Sequence, residues 1–223
     1  MKRLAAAILI SLFSACGPLA AQSIDFESSG TAGSVPKDFS VATTGRGQEA
    51  VWALQDVAGA PSGKLAVAQK SNDATDNRFP VLVYDKVTAQ DADISVKFKP
   101  VSGANDRAAG LVWRYVDKNN YYIVRANALE DNVVLYIVKD GRRTDLPVKG
   151  KGRTYGAKVP PIAKDGWSTL AVSVKGNNFK VSFNGQSLYE VEDNTFTKAG
   201  KIGLWTKADS VMLFDDLKIE NAK

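Results

Sequence analysis

The chain reads as all-β, two antiparallel sheets packed as a sandwich, and three observations carry that reading. Apolar residues recur at every second position over short runs, the period of half-buried strands. Turn-forming residues separate about a dozen such runs at roughly 8–12-residue spacing, the rhythm of a sandwich. Beyond the N-terminal stretch, no segment keeps a long 3.6-residue apolar period.

The first 21 residues stand apart from this pattern. Lys2 and Arg3 precede the apolar run Leu4–Phe13, which is too short to span a bilayer and reads as an export signal. Two processing points are open. Leu19-Ala20-Ala21 offers small residues before Gln22, giving a periplasmic or secreted protein. Phe13-Ser14-Ala15-Cys16 resembles a lipobox, which would acylate Cys16 and leave a membrane-anchored lipoprotein. Residues 22–223 then form a single domain, with no internal repeat and no linker.

The strands follow in order. Ile94, Val96 and Phe98 alternate with Ser95 and Lys97; Leu111, Trp113 and Tyr115 alternate with Val112 and Arg114. Tyr121–Ala128 and the run before Asp140 continue the series, with apolar residues on both faces of the first. Trp167 opens the strand of Leu170, Val172 and Val174, and Phe179, Val181 and Phe183 form the next. Asp140-Gly141 and Asn184-Gly185 are two-residue hairpin turns, and Gly176-Asn177-Asn178 is a third turn. Asn194–Ala199 reads as one short helical turn. Gln69–Asn77 and Lys149–Pro161 read as polar loops, the second long enough to carry function. Trp52, Trp113 and Trp167 are expected in the core; Trp205 faces away from Ile202 and Leu204.

Composition narrows the chemistry. There is no histidine, which removes the commonest general base and zinc ligand and excludes Ser–His–Asp and Cys–His catalysis. Cys16 is the only cysteine, so the mature chain has no disulfide and no thiolate metal site. Formal charge is +5, and losing Lys2 and Arg3 with the signal takes 2 from 5, leaving +3. The cations are spread among 24 acidic residues without a basic block, which argues against a nucleic-acid partner.

The order GLVWRY, NYYIVRAN, LYIVKDGRR, GWSTLAVSVKGNNFKVSFNG, KAGKIGLWTKADSVMLFDDLKI resembles the concanavalin A-like jelly rolls. Within them it is similar to laminin-G-like domains of exported bacterial proteins, many identified as members of the 3-keto-disaccharide hydrolase family. The resemblance covers Ile24–Glu220. It implies one concave sheet, with ligands on that face or on the loops at its rim. It also implies metal-assisted or acid–base chemistry on a keto-glycoside. The Glu-x-Asp-x-x-Glu strand of laminarinase-type relatives is absent among the six glutamates, so a paired-carboxylate glycosidase is not supported.

Sugar-binding chemistry points to particular residues. Arg114 and Arg125 offer rigid donor forks for vicinal hydroxyls or a uronic carboxylate. Tyr121, Tyr136 and Trp205 offer flat faces for sugar rings. Asn127, Glu130 and Asn132 lie in the connection after Arg125 and can donate or accept at the rim. The competing reading pairs the two arginines with Glu130, Asp131 or Asp117 on a solvated sheet face. By the same resemblance, jelly-roll binding modules pair their first and last strands around a structural calcium ion. Asp25, Glu27, Asp215 and Asp216 have similar spacing, and their hard oxygens suit calcium. The leading functional expectation is a carbohydrate-binding domain for an oligo- or polysaccharide outside the cytoplasm. The alternatives are a glycoside-cleaving hydrolase, with Glu130, Asp131 or Glu190 as acid–base, and a protein-interaction domain.

Overall fold

The computed structural model describes residues 20–152 and 154–222. The apolar run Leu4–Phe13 and the lipidation candidate Cys16 lie outside them. Among the described residues there are sixteen strands and no helix. One sheet, A, contains β1 (Gln22–Ile24), β3 (Trp52–Asp56), β4 (Leu65–Gln69), β6 (Ala92–Ser102), β12 (Ser168–Lys175), β13 (Asn178–Phe183), β14 (Gln186–Glu192) and β16 (Val211–Glu220). The other, B, contains β2 (Phe39–Gly45), β5 (Arg78–Ala89), β7 (Ala108–Asp117), β8 (Asn120–Asn127), β9 (Asn132–Lys139), β10 (Arg142–Asp145), β11 (Ala157–Lys158) and β15 (Gly200–Thr206).

Sheet A runs β14-β13-β12-β6-β16-β4-β3 with β1 paired to β16; sheet B runs β10-β9-β8-β7-β15-β5-β2 with β11 paired to β9. All pairings are antiparallel. This is the expected concanavalin A-like jelly-roll sandwich. The hairpin turns fall where the sequence puts them: Asp140-Gly141 and Asn184-Gly185 take positive φ at both residues, matching the twist of the flanking strands.

The alternating residues meet between the sheets. Leu111, Trp113, Tyr122 and Val124 of sheet B pack against Val96, Phe98, Val172, Phe179 and Phe214 of sheet A, all buried. Each such side chain contributes roughly 1.5–3 kcal/mol on leaving water. Trp52 and Trp113 are core residues as expected. Trp167 is not: it is half-exposed and its indole N–H donates to the Gly59 carbonyl, tacking a loop to the start of β12.

Sheet B has a second apolar face. Phe79, Val81, Val112, Tyr121, Ile123, Tyr136 and Trp205 form a separate buried cluster on the side away from sheet A. The sheet buries it by curling over itself. β2 and β8 are four places apart in the sheet, about 19 Å at the usual strand spacing of about 4.8 Å. Yet Thr44 on β2 shares a hydrogen bond with the Tyr121 hydroxyl at 2.8 Å and donates to the Lys118 carbonyl. The concave face predicted from the sequence is therefore this outer face of sheet B, with a hydrophobic floor.

Two local expectations are corrected. Arg114 has φ +47 at a bulge in β7, where the register to β8 shifts. Against β15, Val112 to Tyr115 takes three steps where Gly203 to Lys201 takes two, and that extra residue reverses the alternation, so Tyr115 packs with the outer cluster rather than with Trp113. Asn194–Ala199 is irregular, not helical. The Asp193 carboxylate takes the Thr195 N–H at 2.8 Å and the Tyr122 hydroxyl takes the Phe196 N–H at 3.0 Å, supplying bonds a helical turn would otherwise provide.

Candidate functional site

The concave face holds one continuous polar network, built on the β8–β9 hairpin. Asn127 and Asn132 are opposite one another where the strands close. The Asn127 side-chain carbonyl accepts the Leu129 N–H at 2.9 Å, and Asp131 takes φ +46, which turns the chain tightly. Glu130 is thereby folded back over the sheet. Its carboxylate accepts from Asn132 Nδ2 at 2.8 Å, Arg125 Nη2 at 3.1 Å and Asn127 Nδ2 at 3.2 Å.

Arg125 is the hub. It is 2% exposed, and its guanidinium donates to the Tyr155 hydroxyl at 2.9 Å, the Tyr136 hydroxyl at 3.0 Å and Asn132 Oδ1 at 3.2 Å, besides Glu130. Burial pulls its proton affinity down, but Tyr136, Glu130 and Tyr155 outweigh that and hold it above the ordinary arginine value. Partial burial pushes the Glu130 carboxyl up; the Arg125 charge and the Asn132 amide outweigh it and keep Glu130 ionised. Burial drives the Tyr136 phenol upward, so it stays a neutral donor.

The network continues through groups from three other segments. Asn127 Nδ2 also donates to Asp106 at 2.8 Å, and Asp106 pairs with Lys207 at 2.6 Å. Lys207 pairs in turn with Asp76 at 2.7 Å. Asp209 fixes Asp106 by accepting the backbone N–H groups of Ala104, Asn105 and Asp106 at 2.7–3.0 Å. Burial lowers the Lys207 proton affinity, but its two carboxylate partners reverse the shift. The chain of contacts surfaces at Asp76, at Glu130, and at Tyr155, which is 50% exposed. A network that is buried at its centre and open at three points presents fixed donors and acceptors to a polyhydroxylated ligand.

Of the eight residues proposed from sequence, Arg125, Asn127, Glu130, Asn132 and Tyr136 converge here. Tyr121 and Trp205 belong to the same face but are fully buried, so neither offers a ring to a ligand; they form its floor. Arg114 lies elsewhere. It donates to the carbonyls of Phe196 at 2.7 Å, Gln90 at 3.0 Å and Gly176, and pairs with Asp91 at 3.3 Å. It ties three loops together. The Glu130 pairing foreseen for Arg125 is present, but in a buried cluster rather than on a solvated face. Tyr155, Asp106, Lys207 and Asp76 were missed. Only Tyr155 and Asp76 carried a signal, their places in the Lys149–Pro161 and Gln69–Asn77 loops.

The terminal carboxylates lie around one segment, residues 62–65, but turn their oxygens to its backbone and to their own neighbours. Asp25 accepts the Glu27 N–H at 3.1 Å; Glu27 accepts the Lys64 N–H at 2.7 Å and that of Leu65. Asp215 takes the N–H groups of Ser62 and Asp216, and Asp216 pairs with Lys97 at 2.8 Å. Among the described residues, no three carboxylates are placed to hold a metal ion. The chain ends are joined by the β1–β16 pairing.

No curated protein matches the chain in sequence. Solved structures with the same fold include the carbohydrate binding module CBM66 from Bacillus subtilis, 18% identical over 76% of this chain and 95% of that one, TM-score 0.59. The exoplasmic/lumenal domain of VIP36, in its Ca2+/Man-bound form, is 11% identical over 90% and 89%, TM-score 0.55. The Emp47p carbohydrate recognition domain is 14% identical over 94% and 100%, TM-score 0.54. At these identities the likeness is one of fold. Residues 43–220, well over half of the chain and including every residue of the concave network, match the 3-keto-alpha-glucoside-1,2-lyase-like domain, and the chain belongs to that family.

Proposed function

We propose that the concave face of sheet B binds a saccharide outside the cytoplasm, with Arg125, Glu130 and Tyr155 making the central contacts. The observation that carries this reading is the Arg125 network: a nearly buried guanidinium locked by five side-chain contacts, reaching solvent through Glu130 and Tyr155. Such groups are fixed before a ligand arrives, so binding orders few side chains. The lectin and binding-module fold supports the reading. Export, by cleavage before Gln22 or acylation of Cys16, would place the domain where glycans are met.

The family favours a second reading, elimination on a 3-keto-α-glucoside. The hydrogen on C2 of such a sugar is acidified by the neighbouring ketone. Glu130, held ionised, would take that proton; the electron pair would form the C1–C2 double bond as the C1–O bond breaks. The departing oxygen would be protonated by Tyr155, whose hydroxyl shares Arg125 Nη2 with Glu130. Binding by a glycan panel, read by calorimetry, tests the first reading. Tyr155→Phe and Glu130→Gln are each expected to weaken the best ligand tenfold or more with the melting temperature recorded alongside. No binding of any glycan sinks it. NMR of a 3-keto-α-glucoside incubated with the protein tests the second: an unsaturated product lost in Glu130→Gln supports lyase chemistry, and an unchanged substrate removes it.

A further inference from the structure

A second opening lies on the concave face, at the other end of the β8–β9 pair. It is a cleft of about 710 Å³ between the end of β2, the start of β5, the β7–β8 turn and the β9–β10 turn. Arg46, Lys118, Arg142 and Arg143 line it, and Asp140 is the single acidic residue among its lining. Phe79 lies beneath it, buried under the Arg143 guanidinium. Four cations against one carboxylate around one concave cleft create a positive potential.

The walls are fixed. Gly141 N–H donates to the Asn119 carbonyl at 3.0 Å, joining the two turns, and Arg46 N–H donates to the Asn77 carbonyl at 3.1 Å. Arg143 is held over three rings, 4.5 Å from the Tyr136 centroid, 4.9 Å from that of Phe79 and 5.7 Å from that of Trp205. Its Nη1 is buried with no acceptor among the described residues. A guanidinium whose plane is set by aromatic rings is fixed in orientation for an anion with paired oxygens. The cleft also joins the Arg125 network. Arg143 stacks on Tyr136, whose hydroxyl accepts from Arg125, and Tyr121 and Arg125 are four residues apart on β8, roughly 13 Å at about 3.3 Å per residue. That is within reach of a short oligosaccharide.

We propose that this cleft takes the anionic substituent, a carboxylate or a sulfate ester, of an acidic oligosaccharide whose rings run along the concave face toward Arg125. The proposal rests on the saccharide reading of that face and names its substrate class. The test is calorimetric binding of three probes at physiological salt: a neutral gluco-oligosaccharide, an oligogalacturonate and a sulfated galacto-oligosaccharide. The variant combines Arg46→Gln, Lys118→Gln and Arg142→Gln, all exposed side chains outside the Arg125 network. One or both acidic probes are expected to bind at least tenfold more tightly than the neutral one, and the triple variant to lose that margin. Which acidic probe binds identifies the substituent. Loss confined to the triple variant, with Tyr155→Phe unaffected, supports the anion cleft while overturning the central role of Arg125. Acidic and neutral probes bound alike, or a triple variant that binds as the wild type does, overturns the cleft and leaves the saccharide reading intact. No binding of any probe overturns both.

Discussion

Arg114 and Arg125 have the same sequence surroundings, an arginine after aromatic strand residues, and opposite uses. Arg125 donates to side chains that reach solvent; Arg114 donates to three backbone carbonyls. Arg114→Met should cost on the order of 2–3 kcal/mol, because buried acceptors lose a charged donor, and leave ligand affinity unchanged. Arg125→Lys should do the reverse, weakening the ligand tenfold or more with a smaller loss of stability, since one ammonium cannot serve four acceptors at fork geometry. Chemical denaturation and calorimetry on both variants check the pair. Asp215 offers a pH test. Burial, with Asp216 and Asp25 nearby, outweighs two backbone N–H donors and pushes its carboxyl from 3.8 up to about 6. The folded state then binds this proton more tightly than the unfolded one. The resulting stability is full below pH 3.8 and lost as pH rises through about 6. Urea midpoints of Asp215→Asn should therefore gain on wild type between pH 4 and 7, by on the order of 2 kcal/mol. A constant difference across that range would refute the assignment.

The elements were largely legible in the sequence, and the failures have local causes. Alternation located the strands, and Asp-Gly and Asn-Gly located two hairpins. The bulge at Arg114 was not visible, because period-two reading assumes that no residue is inserted, and one residue inserted relative to β15 sends Tyr115 to the other face. Five site residues were found because they share one hairpin. Asp76, Asp106 and Lys207 arrive from loops that only the folded topology brings together. Glycines separate the same way. Gly45 ends β2 at φ +85, and an added Cβ would lie 1.8 Å from the Asn77 carbonyl oxygen. Gly185 has φ +79 and open space. Gly185→Ala should cost about 1 kcal/mol from the backbone alone. Gly45→Ala should cost at least twice that, since β2 must part from β5. Equal melting temperatures for the two would show that β2 shifts freely.

At the scale of the molecule, sheet B carries two cores, one shared with sheet A and one of its own. The second is what makes Trp205 a structural residue on a face expected to be open. Trp205→Ala should cost roughly 3–5 kcal/mol, as for a buried tryptophan; a cost below 1 kcal/mol would show that the face is an open groove. The curl that buries this cluster also separates the two polar ends of the face, the Arg125 network and the cleft above Phe79.

The pairing of β1 with β16 has a further consequence. Gln22 stands opposite Ile219, so the start and finish of the fold are neighbours in one sheet, while the surface carrying the Arg125 network belongs to the other. The order of the strands along the chain is then a matter of where the loop of backbone happens to be cut. A circular permutant that joins the residues after Glu220 to Gln22 through a short linker, with new ends at Asn184-Gly185, keeps every sheet contact except one hairpin connection. It should fold, and it should bind as the parent does.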